Sequence, residues 1–166
     1  MSQLSFTIDN VKASPAGSKR SMRHYRTNKI VTLDACLTSR EWKGRVAGEA
    51  SIACREQEWS TTDFQLVLVV VFTIARPASH YRRSKKLGVA TVRDDAPEFH
   101  THRPDALKLL RAVEDALTGI VYFDDAQLVV STPVKKWGHG HSTKISVRRA
   151  TPADLVELPE RIASGG

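Results

Sequence analysis

Five carboxylates fall in or beside one amphipathic stretch between His100 and Gln127: Asp105, Glu114, Asp115, Asp124 and Asp125, with Arg111 among them. Carboxylate oxygens are the hard ligands that Mg²⁺ and Mn²⁺ take. An ion held this way activates water and neutralises charge on a phosphodiester. The surrounding chain is basic: 25 Lys and Arg against 18 Asp and Glu give a formal net charge of +7 over 166 residues. That balance favours a polyanionic partner, nucleic acid or an anionic membrane face. Acid gathered inside a basic protein is the composition of a metal-dependent nuclease. Each carboxylate also has an ordinary structural reading. Asp105 suits a helix N-cap, Glu114 and Asp115 suit solvated positions pairing with Arg111 and Lys108, and Asp124 and Asp125 suit a turn.

Two basic segments stand apart from the acids. Lys12 to Arg26 includes Lys19 and Arg20 among small residues with Pro15 and Gly17, and reads as a loop. Arg76 to Lys86 places Arg82, Arg83, Lys85 and Lys86 around Tyr81. Either segment is a solvated loop or an arm that tracks phosphates, the second with an aromatic for a base. The pairs His100/His102 and His139/His141 supply too few ligands for a metal site and read as extended chain and a hairpin turn. Cys36 and Cys54 match neither redox nor zinc spacing, so both are expected to be reduced, the second in the core.

The acids must be positioned by the element that carries them. At about 100° per residue, Ala106, Leu109, Leu110, Val113, Ala116 and Leu117 form one apolar stripe. Leu107, Arg111 and Glu114 lie on its flank, Asp115 further round, and Gly119 stops the helix. Phe64 to Ile74, nearly all apolar and Val-rich, reads as a central strand covered on both faces. Leu4 to Asn10 alternates as a half-buried strand. Thr38-Ser-Arg-Glu41 is a capping-box sequence opening a helix that ends near Gln57. Leu128 to Trp137 and Thr143 to Arg149 read as a hairpin, with Pro133 placing the first at an edge or bulge. These elements imply an α+β domain over residues 1–150, a mixed sheet packed by two main helices in two layers. A tail follows over 151–166, where Thr151-Pro-Ala-Asp154 suits a short helix. No apolar run approaches a membrane span and Met1-Ser-Gln-Leu-Ser lacks signal-peptide features, so a cytoplasmic protein is expected.

Arg-Pro-Asp105-x-x-Lys-Leu-Leu-Arg111-Ala-x-x-Asp115-Ala-Leu-Thr-Gly, then Asp124-Asp125-Ala-Gln127 and Lys135, resembles the RusA family of Holliday junction resolvases, often carried by phages. Pro15-Ala-Gly17-Ser-Lys-Arg20 and Arg76-Pro-x-Ser-His-Tyr81 extend the resemblance over most of the chain. It implies a homodimer that binds four-way DNA and makes paired nicks with Mg²⁺, for which Mn²⁺ substitutes. It also implies site roles: Asp105 and Asp125 as metal-holding carboxylates, Asp124 beside them, and Arg111 at the basic helix position, usually Lys. Lys19, Arg20, Arg82, Arg83, Lys85, Lys86 and Lys135 would contact DNA. The second Asp of the family's Asp-x-Asp pair falls on Leu107, and a further acidic position falls on Val130. Glu114 lies seven residues after Leu107, in line with it and about 10.5 Å along the axis. It is expected to stand in for the missing carboxylate. The alternative is a weakened or inactive branched-DNA-binding accessory protein.

Overall fold

The Val-rich run forms strand β4 (Leu66–Ala75), which sits inside a four-stranded sheet of order β1-β8-β4-β7. The computed structural model describes residues 3–17, 19–23, 25–34, 37–83 and 90–154. Strand β1 (Gln3–Asp9) pairs antiparallel with β8 (Ser142–Arg149), β8 antiparallel with β4, and β4 parallel with β7 (Leu128–Gly138). Helix α1 (Leu37–Glu56) contacts β1, helix α2 (Ala106–Leu117) contacts β7, and the helices contact each other. Two helices on a mixed sheet make the α+β arrangement expected of the sequence, with small hairpins β2 (Lys19–Arg23)–β3 (Ile30–Asp34) and β5 (Tyr81–Arg83)–β6 (Ala90–Val92).

The core lies between the helices and the sheet. Leu66, Leu68, Val70 and Phe72, alternate residues of β4, are fully buried with Leu4, Val46, Leu109, Val113, Leu117, Tyr122 and Ile145. On the other face Val67 is buried but Val69 and Val71 are only half-buried, so β4 is covered more completely on one face than on the other. Continuous apolar sequence did not distinguish these two environments.

Four further expectations are corrected. Strands β7 and β8 are consecutive but do not pair; β4 lies between them, and residues 139–141 are a connection rather than a hairpin turn. Pairing β7 in parallel with β4 leaves it at the sheet edge, which is where Pro133, lacking an N–H, is tolerated. The basic segment from Lys12 to Arg26 is not all loop, since Lys19–Arg23 forms β2. Basic residues between Arg76 and Lys86 likewise enter β5. Helix α1 begins at Leu37, which puts Thr38 inside it, and the Thr38 hydroxyl meets Ser14 Oγ at 2.9 Å. Cys54 is a buried free thiol whose pKa is raised by burial. Cys36 lies outside the described residues. Pro152–Asp154 begins a turn of helix, held by the Arg148–Asp154 ion pair, and residues 155–166 lie outside the described residues.

Candidate active site

Helix α2 carries the candidate site because its two ends have different surroundings. Leu109, Leu110, Val113, Ala116 and Leu117 are buried as the wheel requires, and Ala112 is buried too. Ala106, assigned to the stripe, is only half-buried. Helix α1 reaches α2 at Asp115, whose Oδ2 lies 2.6 Å from Lys43 Nζ of α1. The flank that carries Leu107, Arg111 and Glu114 is more open. Leu107 is 71% exposed, Arg111 is exposed and Glu114 is half-buried. Gly119 ends the helix at φ +80°, a left-handed conformation that suits glycine.

At the N-terminal end, Asp105 is the N-cap residue, yet its side chain makes no capping hydrogen bond. Its carboxylate is free of that structural duty and lies 3.6 Å from Lys108 Nζ. It lines an open cleft of about 730 Å³ with Lys12, Ser14, Thr38, Arg103 and Lys108. Two anchors build the cleft: Ala16 N–H donates to Lys108 O at 2.8 Å, and Ser14 meets Thr38, so the Lys12–Gly17 segment is fixed to both helices. Beneath it Lys135 of β7 donates to His102 O at 2.6 Å and Pro104 O at 2.7 Å, holding the turn that presents Asp105. A helix N-terminus flanked by Lys12, Arg103 and Lys108 attracts phosphate.

At the C-terminal end the acids gather. Tyr122 is buried, and its hydroxyl donates to Glu114 O at 3.0 Å. Burial raises its pKa first, and the nearby charges of Glu114, Asp125 and Asp115 raise it further. Asp124 caps the 3₁₀ turn Asp125–Gln127: its side chain accepts from Ala126 N–H at 2.8 Å, while Gln127 Oε1 accepts from Asp124 N–H at 2.9 Å. Asp124 is thus occupied structurally, and Asp125 is exposed in the first turn.

Asp105 and Asp125 therefore stand at opposite ends of α2. The twelve-residue helix spans about 18 Å at ~1.5 Å per residue. Strand β7 runs back along it, so that Lys135, which reaches the turn before Asp105, is about 23 Å from Leu128 at ~3.3 Å per residue. Among the described residues, no three His, Cys, Asp or Glu side chains come together to hold an ion. The carboxylates have the right chemistry for a divalent cation, but the described residues of one chain do not gather them into a complete cage.

The predicted DNA contacts are dispersed. Lys19 and Arg20 lie on β2 and Arg83 on β5. Arg82 pairs with Asp94 across its hairpin, and Lys85 and Lys86 lie outside the described residues. Lys12, which lines the cleft, belongs to the basic segment expected to suit phosphates, whereas Arg103 and Lys108 were not singled out in the sequence for DNA contact.

A family model for the endodeoxyribonuclease RusA matches residues 12–148. The chain belongs to the RusA family. That match spans both basic segments, both helices and the acidic pairs, and the RusA family's activity is endonucleolytic resolution of Holliday junctions. The protein is thus a hydrolase of DNA, and RusA nucleases are generally metal-dependent. No curated protein matched the chain. Among the described residues, no helix is long and apolar enough to cross a membrane.

Proposed function

We propose that this RusA-family protein resolves four-way DNA junctions as a homodimer, by paired Mg²⁺-dependent nicks, in the cytoplasm where its DNA substrate lies. The observation that carries this reading is the separation of Asp105 from Asp125 along α2 in one chain. In a two-fold dimer, contacts are reciprocal, so apposing the open flanks of two α2 helices head to tail sets Asp105 beside Asp125 of the partner subunit. Each dimer then holds two equivalent sites, which suits two symmetric cuts. Asp105 and Asp125 would hold the cation, with Glu114 as a further carboxylate on the Asp125 side. Asp124 contributes by shaping the turn. A divalent cation, when bound, supplies water activation and charge neutralisation at the phosphate.

The chain's own residues do the rest. Lys12, Arg103 and Lys108 draw the scissile phosphate to the N-terminus of α2, and Lys135 fixes the turn that aims Asp105 at it. Arg111, exposed on the open flank, faces developing negative charge on the leaving oxygen.

Mixing variants tests the shared site. Asp105→Asn and Asp125→Asn homodimers should each lose about a hundredfold or more of junction nicking. Re-equilibrated together they should recover about a quarter of wild-type nicking, because half the dimers are mixed and each holds one intact site. No recovery from proven mixed dimers would show that each site lies within one chain. The second reading, a weakened enzyme, is favoured by Leu107, an exposed apolar residue where the family pattern has Asp.

A further inference from the structure

The cleft at Asp105 does not end there. Across Lys12, Ala13, Arg103 and Pro104 it continues into a second cavity of about 300 Å³, bounded by His100, Trp137 and His141. The walls of this cavity are aromatic and fixed. His100 is 7% exposed and packs on Trp137 with ring centroids 4.3 Å apart, while His80 meets the same indole edge-on at 5.1 Å. The backbone N–H of His100 donates to Lys135 O at 3.2 Å, which ties this stretch of chain to β7. His141 Nδ1 accepts from Ala75 N–H at 3.4 Å. His100 Nδ1 is buried and has no hydrogen-bond partner among the described residues, a condition that costs stability unless something else accounts for it. Burial and the Lys135 charge hold its pKa below the usual histidine value, so the ring is neutral.

We infer that this cavity receives one unstacked nucleobase, from the nucleotide next to the phosphate bound at Asp105. The inference rests on the nuclease reading. Its chemistry is a flat aromatic wall for stacking, two imidazoles for a base edge, and the cations Lys12 and Arg103 at the mouth for the flanking phosphates. At the lower end of the size range of small-ligand sites, the space suits one base and not a stacked pair. A base within continuous duplex reaches it only after unstacking and unpairing. A base at a branch point is already partly freed, so the cavity favours branched over linear DNA. Because His100 and His141 meet the base edge, it also discriminates among bases near the nick.

The test uses the full chain and a synthetic four-way junction carrying a single abasic site at each nucleotide around the nick in turn. Removal of one base beside the nick should lower affinity and nicking about tenfold, as expected for loss of one aromatic stack, while abasic sites in the arms change neither. Trp137→Leu should bind the intact and the abasic junction equally, while retaining salt-dependent binding. Uniform tolerance of abasic sites by wild-type protein that nicks the intact junction would overturn the base cavity and leave the nuclease reading standing. Failure to bind or nick the intact junction would overturn both.

Discussion

The two ends of α2 differ in what they are equipped to hold. At the N-terminal end one carboxylate, Asp105, stands among Lys12, Arg103 and Lys108 beside a helix N-terminus, a setting made for anions. At the C-terminal end burial raises the pKa of Tyr122, the charges of Glu114 and Asp125 raise it further, and Asp115 is partly offset by Lys43. One end attracts phosphate, and the other attracts cations. A phosphodiesterase needs both at the same point, and the dimer proposed above would meet that need by bringing two copies of the helix together.

That contrast can be broken at either end. The largest effect is expected from Glu114→Gln, which removes a carboxylate without changing shape. Metal-dependent nicking of a four-way junction should fall about a hundredfold while junction affinity is kept. Full activity would remove Glu114 from the site. Leu107→Asp should raise nicking about tenfold, with little effect on folding because the side chain is exposed; the gain should be read as kcat at saturating Mg²⁺. Unchanged nicking would show that the family's second carboxylate is already replaced. The smallest effect is expected from Lys108→Ala at the phosphate end: junction affinity should drop a few-fold, and the slope of log affinity against log salt should lessen by about one. The companion change Arg82→Ala should do less, since Asp94 already pairs with that guanidinium.

Much of this arrangement was legible in the sequence because it depends on local rules. The 3.6-residue stripe gave α2 and its buried face, and Gly119 gave its end. Pro133 foretold an edge strand. The hairpin between β7 and β8 was misread for a non-local reason. Two strands joined by three residues pair with each other unless a third strand has already taken the place between them, and nothing near Gly138 reveals that β4 does so. The burial of Ala112 was missed on the same ground, since α2 packs against α1, an element more than fifty residues earlier. Asp124 and Asp125, adjacent in sequence, alike in chemistry and both exposed, were parted by a hydrogen bond: the Asp124 side chain caps a turn in which Asp125 is the first residue.

The sequence by itself determined the helix, the types of the acidic and basic groups and the family that uses them, since periodicity, composition and motif are properties of neighbouring residues. Only the tertiary structure decided that β7 runs back along α2. That single parallel pairing with β4 carries Asp125 to one end of the helix and Lys135 to the other. Direction and pairing of a strand are fixed by the whole sheet, so the distance between two catalytic candidates twenty residues apart is not written in the residues between them.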